Sequence, residues 1–293
     1  MCPICESENF IFLGNPLISG KAAKVIKKDY KVVKCQHCSF YFINPPLELT
    51  ESDWRYLYDN NYFVENSKWF TKKRKIDSKE RILKAAQFNK NDIKTFLDIG
   101  CGEGYSLIEA ADKGWNVYGV DITDHRNELA KSKNISFINS DLINSKLPSD
   151  FFDIVYLDSV LEHVYNPSDY LSEIRRILKK GGILYLGVPN EDSLFNDFRK
   201  IYYKITGRKI TEKIKPFQSP YHINGFNKKS LTFAITKAGF KITEIRNFAN
   251  RLLFMREKPF TKDFFKLLLI FPIYLLAVPL RRESYLEAYV QKP

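Results

Sequence analysis

The sequence predicts an α/β fold built on a doubly wound, mostly parallel sheet. Two observations carry that reading. From residue 95 onward, short apolar runs at 95–99, 116–120, 136–138, 152–157 and 183–188 alternate with amphipathic stretches, best marked at 105–113 and 167–178. Near-continuous apolar strands are buried on both faces, which calls for helices on either side of a parallel sheet. The first of these strands also runs directly into a glycine-rich turn, Gly100-Cys101-Gly102-Glu103-Gly104, and then a helix.

Taken in order, the 293 residues divide into a unit at 1–46, an aromatic linker and helix at 47–90, and a domain at 91–293 that carries a basic, apolar insert near 250–282. The first unit holds β-type stretches at 9–13, 30–34 and 40–43 and is closed by Pro45-Pro46. Its Cys2-Pro-Ile-Cys5 and Cys35-Gln-His-Cys38 are two knuckles, each able to aim two thiolates at one ion; together they complete a tetrahedral sulfur shell, so structural zinc is expected. Iron, or two unmetallated thiol pairs, are the alternatives. The linker is aromatic, with Trp54, Tyr56, Tyr58, Tyr62, Phe63, Trp69 and Phe70, and a helix is expected over 77–88. After the parallel strands come a helix at 228–238 stopped by Gly239, a strand at 240–248 and a last strand at 285–291.

The glycine turn alone would also suit a dinucleotide fold, although Glu103 at the helix start would repel a diphosphate. Three carboxylates sharpen it. Asp98 precedes the turn and can orient it or meet a cationic ligand, Asp121 ends the second strand where it can accept both hydroxyls of a ribose, and Asp141 can receive an adenine amino group. With these residues, LDIGCGEG (97–104), FDIVYLDSVLEHV (152–164) and LKKGGILYL (178–186) make the stretch 95–190 similar to class I S-adenosylmethionine-dependent methyltransferases. The resemblance implies a seven-stranded sheet whose last strand is antiparallel, and S-adenosylmethionine as cofactor. Its binding residues would be Asp98, Gly100, Cys101, Gly102, Gly104, Asp121 with Ile122, Asp141 with Leu142, and Asp158. The four-cysteine head, followed by FINPP (42–46) and YDNNYF (58–63), further resembles zinc-containing methyltransferases of sugar and surface-glycan pathways, some of which methylate a carbon of a nucleotide-linked deoxysugar. That similarity implies a small-molecule or lipid-linked sugar acceptor.

Methyl transfer needs in-line positioning and, for a weakly acidic acceptor, a base, for which His is best suited near neutral pH. Among the four histidines, His222 in Tyr221-His222-Ile223 resembles the acceptor-facing histidine of the related enzymes, where the pattern is usually Glu-His-Leu; a plain loop histidine is the alternative. His163 is a second candidate base or a framework residue, and Tyr221 and Tyr62 are candidate aromatic gates. A basic stretch over 199–215 precedes this loop.

The net charge of +12 is uneven: +6 over residues 1–90, −5 over 91–190 and +11 over 191–293. The acidic middle suits a cationic ligand and the basic tail an anionic surface or phosphate. The segment 264–280 is apolar between Lys258, Lys262 and Lys266 on one side and Arg281-Arg282 on the other, so it is expected either to dock on an anionic membrane surface or to be a buried helix or dimer contact. Its uninterrupted apolar run of 14 residues is short of the ~17–25 that a spanning helix needs. No signal-peptide pattern opens the sequence, so a cytoplasmic location with reduced cysteines is expected, membrane association remaining compatible with it. An RNA methyltransferase using the basic surface is the alternative enzyme. Nucleic acid is disfavoured because the fourth strand ends in Asp158-Ser-Val-Leu, without the Pro-Pro-Tyr clamp used on base amino groups. A non-catalytic cofactor-binding protein is the remaining class.

Overall fold

The computed structural model describes residues 1–18, 20–59, 67–89, 94–207, 214–218, 221–249 and 260–293. An antiparallel sheet opens the chain: β1 (Phe10–Gly14) pairs with β2 (Lys31–Cys35) and β2 with β3 (Tyr41–Asn44). The short helices α1 (Ala22–Val25) and α2 (Glu51–Leu57) follow β1 and β3. A capping box starts α2: the Thr50 hydroxyl accepts from the Asp53 N–H, and the Asp53 carboxylate accepts from the Thr50 N–H. The next helix, α3 (Ser67–Gln87), begins ten residues before the expected start.

The central sheet contains β4 (Thr95–Ile99), β5 (Asn116–Asp121), β6 (Ile135–Asn139), β7 (Phe152–Asp158), β8 (Leu178–Pro189), β10 (Lys241–Phe248) and β11 (Tyr285–Gln291). Its order is β10-β11-β8-β7-β4-β5-β6, parallel from β8 to β6 and antiparallel on both sides of β11. The fold class expected from the sequence, a doubly wound and mostly parallel sheet of seven strands, is the one observed. Strand alternation explains its two-sided core. Leu97, Ile99, Val155, Leu157, Leu184 and Leu186 are buried on one face, and Phe96, Ile154, Tyr156, Ile183 and Tyr185 on the other.

Around the sheet lie α4 (Tyr105–Ala111), α5 (Glu128–Lys131), α6 (Pro167–Ile177), α7 (Leu194–Ile205), α8 (Lys228–Lys237) and α9 (Lys262–Ala277). Strand β8 begins earlier than expected because Leu178 already pairs with Phe152, which ends α6 at Ile177. Helix α7 was not expected. The apolar segment 264–280 is largely helical in α9, with Pro272 inside it; its exposed side chains include Phe265, Leu268, Leu275 and Leu276, so a wholly buried helix is not what forms.

A two-residue strand, β9 (Asn224–Gly225), crosses from the second half of the chain to pair with β3. Ile214, Phe217, Tyr221 and Ile223 beside it share a core with Tyr30, Val32, Tyr41 and Ile43. The N-terminal unit is therefore completed by residues distant in sequence, and the boundary at 46 is not a boundary of packing.

Candidate functional site

The C-terminal ends of β4, β5 and β7 open into a cavity of about 600 Å³, the place where ligands sit in open α/β sheets. At its floor the glycine turn passes through left-handed conformations at Gly100 (φ 70), Gly102 (φ 48) and Gly104 (φ 81), the last being the N-cap of α4. The turn is held by acids. Asp121 accepts from the Gly102 N–H at 2.9 Å and from the Thr123 N–H at 3.3 Å, and Asp98, 3% exposed, accepts from the Ser106 hydroxyl. Burial pushes the Asp98 carboxyl well above the usual range, with the nearby Asp158 and Asp121 charges adding to it; burial likewise raises Asp121. Asp141 receives the Asn144 N–H at 3.0 Å, and together with Ile122, Leu142, Cys101 and Asp158 it lines the same cavity. The cofactor-site residues named from the sequence thus line one cavity, except Gly104, which caps α4 beside it. Cys101 is buried, and its thiol is raised mainly by that burial.

The outer wall is aromatic and histidine-bearing. Trp54 Nε1 donates to Tyr165 Oη at 2.7 Å, the Tyr165 hydroxyl donates to the Leu49 carbonyl at 3.0 Å, and Tyr58 Oη lies 2.8 Å from His163 Nδ1. All three aromatics and His163 line the cavity. Sequence reasoning placed Trp54 and Tyr58 in an aromatic linker without a role and missed Tyr165. The available signal was the four-residue spacing of Trp54 and Tyr58, which puts both on one side of α2. Tyr221 stands one layer back: its ring packs edge-on to Tyr58 at 5.7 Å, and its carbonyl lies 3.3 Å from His163 Nδ1. Tyr62 lies outside the described residues.

His222 does not line this cavity. Its ring is 4.9 Å from that of His163, and each Nε2 stands 3.9 Å from Glu162 Oε1, a carboxyl that is 1% exposed and whose oxygens have no hydrogen-bond partner among the described residues. Burial holds His163 down to about 4; burial and then the charges of His163, Lys215 and Arg199 hold His222 well below its ordinary value, so both rings are neutral at pH 7. His222 opens instead into a second, smaller cavity of about 230 Å³, shared with Asn190, Glu191, Ser193, Arg199 and Lys215.

The methyltransferase domain family matches residues 70–245. The chain belongs to that family. Its class is that of the class I S-adenosylmethionine-dependent enzymes, as the sheet order and glycine turn require. A demethylmenaquinone methyltransferase of Staphylococcus saprophyticus is 28% identical over 187 residues, which cover 58% of this chain and 79% of that protein. A ubiquinone biosynthesis O-methyltransferase of Dechloromonas aromatica is 30% identical over 107 residues, 34% of this chain and 46% of that protein. The crystal structure of a SAM-dependent methyltransferase from Archaeoglobus fulgidus shares the fold, with a TM-score of 0.52 over 77% of this chain and 100% of that chain at 20% identity. This chain spans about half the length of the curated relatives it matches first.

The methyltransferase cleft fits the cofactor of its class. A cationic ligand would lower the raised Asp98 carboxyl, and Asp121, Ile122, Asp141 and Leu142 line the same cavity, a carboxylate pair and two apolar side chains that suit a ribose and a base. Below Asp98, Asp158 is held by a buried network. Arg81 from α3, 5% exposed, donates from Nη1 to Asp158 at 2.8 Å and from Nε to Glu287 at 2.7 Å, and its guanidinium lies 5.3 Å from the Tyr285 ring centre.

In the N-terminal unit of this methyltransferase the four cysteine sulfurs lie within 4.8 Å of one another, with Cys2–Cys38 at 3.6 Å and Cys5–Cys35 at 3.4 Å. Sulfurs around one zinc ion at ~2.3 Å stand ~3.8 Å apart in a tetrahedron, so the donor set fits zinc with little movement. Each knuckle ends in a left-handed residue, Glu6 (φ 63) after Cys5 and Ser39 (φ 64) after Cys38, with the Glu6 N–H donating to the Cys2 carbonyl and the Ser39 N–H to the Cys35 carbonyl. His37 packs edge-on against Phe233 instead of joining the cluster.

Proposed function

We propose that the protein transfers the methyl group of S-adenosylmethionine to a small sugar, glycan or lipid-linked acceptor at the aromatic mouth of the cleft. The observation that carries this reading is the union, in one cavity, of the glycine turn and its acids with Trp54, Tyr58, His163 and Tyr165. Bound S-adenosylmethionine supplies an electrophilic methyl on a sulfonium. The chain must then hold an acceptor atom in line with it, and the stacked and edge-on aromatics of α2 and the β7–α6 loop give a stiff wall for that purpose. His163 is the imidazole on the cleft side; neutral at pH 7 and fixed by Tyr58, it takes the acceptor's proton. His222 and Glu162 stand behind it as positioning residues, and Tyr221 supplies its ring and carbonyl.

Cys2, Cys5, Cys35 and Cys38 are assigned to a structural zinc ion, a closed shell with no position for substrate. The protein docks on an anionic membrane surface through α7 and α9, which pack on one another and expose Ile201, Tyr202, Ile205, Phe265 and Leu275 beside Lys200, Lys204 and Arg281. Among the described residues no helix is long and apolar enough to cross a membrane. A quinone acceptor is the second reading, favoured by the names of the two relatives above.

The test is incubation of the purified protein with methyl-labelled S-adenosylmethionine and an extract of its own cells, followed by separation of nucleotide-sugar, lipid, quinone, RNA and protein fractions. Label in nucleotide-sugar or lipid is expected. Label in quinone selects the second reading, label in RNA overturns the acceptor assignment, and no label with cofactor bound overturns the activity.

A further inference from the structure

The second cavity is not part of the cofactor cleft, and its lining has a composition of its own. Arg199 projects into it from α7 and Lys215 from the segment before β9, and neither has an ion-pair partner among the described residues. Arg282, by contrast, is paired with Asp197 of α7. One acid, Glu191, also faces the cavity, but its carboxylate already accepts from the Asn196 side-chain amide at 3.3 Å. The ammonium of Lys215 is held below its ordinary value first by burial and then by the Arg199 charge, with the Glu191 carboxylate acting the other way, so two cations and one acid share a half-buried space. Around them stand neutral hydrogen-bonding groups: the His222 ring, the Asn190 amide and the Ser193 hydroxyl, whose oxygen accepts from the Asn196 N–H and whose hydrogen is left to donate. Guanidinium, ammonium and hydroxyl donors converging on one small space are the complement of a phosphate oxyanion.

We propose that this cavity is an anion subsite that takes a phosphate or diphosphate group carried by the methyl acceptor. The inference rests on the methyltransferase reading above and narrows its substrate to a phosphorylated class. Its volume, about 230 Å³ against about 600 Å³ for the cleft, holds phosphate groups but not the whole acceptor. The His222 ring, which lines this cavity, lies 4.9 Å from the His163 ring, which lines the cleft, so the proposal places the anion and the reacting atom on one acceptor molecule that spans this pair of rings. Helix α7 links the subsite to a source: it carries Arg199 into the cavity and exposes Phe198, Ile201 and Ile205 outside it. The phosphate therefore comes either from a lipid headgroup or from a soluble phosphate ester.

Calorimetric titration of the full chain with inorganic pyrophosphate tests the subsite. The wild type should bind it with an affinity that falls as salt rises. Arg199→Gln/Lys215→Gln should weaken that binding by about tenfold or more, while S-adenosylmethionine affinity stays within about twofold. The single variant Lys215→Gln, at a partly exposed position, gives the same direction with the smallest risk to folding. Absence of pyrophosphate binding in the wild type, or equal binding by the folded variants, overturns the proposal. Loss of S-adenosylmethionine binding by the wild type would instead sink the underlying reading. Vesicles of phosphatidic acid in phosphatidylcholine are then added as competitor: displacement of pyrophosphate supports the subsite with a lipid source, and no displacement supports it with a soluble one.

Discussion

Gly100 carries the tightest steric constraint in the glycine turn. It sits at φ 70, and a Cβ there would stand 2.5 Å from Val160 Cγ2. Gly100→Ala is therefore expected to weaken cofactor binding by clash and by backbone strain together, the strain alone being of order 1–2 kcal/mol. Adding Val160→Ala removes the clash but leaves φ, so calorimetry should show only partial recovery; full recovery would mean that φ carries no cost. Asp121→Ala should abolish cofactor binding, because it removes both the carboxylate proposed to accept the ribose hydroxyls and the partner of the Gly102 N–H. Wild-type affinity in that variant would remove Asp121 from the ribose role. For His163 the sign follows from burial: its folded pKa lies near 4, below the ordinary value, so the ring stays neutral as pH falls through 6.5. Turnover should stay level down to about pH 5 and fall only on approach to 4, and an acid limb centred near 6.5 would show that another group takes the proton. The acids and glycines of the turn were legible in the sequence because they are local, fixed by spacing to one strand end. Tyr165 was not, since its partners, Trp54 and Leu49, lie more than a hundred positions away and nothing in the sequence marks such a meeting.

Helices α3 and α9 show how far an element can be read before its neighbours are known. The sequence predicts a helix over 77–88 and nothing of its partners, yet Arg81 on it becomes the centre of a buried network with Asp158 and Glu287, contributed by β7 and β11. Removing one member of such a network leaves buried charge behind, so Arg81→Met is expected to destabilise the fold by about 3–5 kcal/mol, visible as a lower denaturation midpoint in urea. A cost below ~1 kcal/mol would mean that the carboxylates relax to solvent or protonate. The apolar character of 264–280 was equally plain, and its helical state follows from it, but whether that surface is covered depends on α7, which the sequence reading did not find. Helix α7 has no buried residue, so the burial pattern that would anchor it is absent, and its apolar stripe at 198, 201, 202 and 205 faces outward. Leu275 and Leu276 are 58% and 53% exposed, so replacing both by Ser should lower co-sedimentation with anionic vesicles while leaving the melting temperature nearly unchanged. Unchanged sedimentation would return the patch to a contact between proteins.

Across the whole molecule the deciding feature is that the four-cysteine unit shares its core with the methyltransferase domain. Cys2, Ile4, Phe40 and Phe42 are buried in the same cluster as Phe226, Leu231 and the leucines of the central sheet, and β9 joins the N-terminal sheet as its fourth strand. The cysteine spacing predicts a metal unit; it does not predict that Ile214, Phe217, Tyr221, Ile223 and β9 pack into that unit, because β9 is two residues long and has no periodicity to read. This sharing fixes what metal removal should do. Zinc contributes ~10–16 kcal/mol to small metal-dependent peptides, and with zinc in the proposed four-cysteine site part of that stabilisation would pass into the common core. Chelation, or Cys35→Ser with Cys38→Ser, should therefore lower the single unfolding transition of the chain by about 10 °C or more instead of melting the N-terminal unit alone. It should also loosen Tyr221, which shares the core of the N-terminal unit and packs against Tyr58 of the cleft wall, so affinity for the acceptor should fall more than affinity for the cofactor. Two separate transitions, with the later one unmoved by metal, would show that the unit is an independent domain and that the shared core does not couple them.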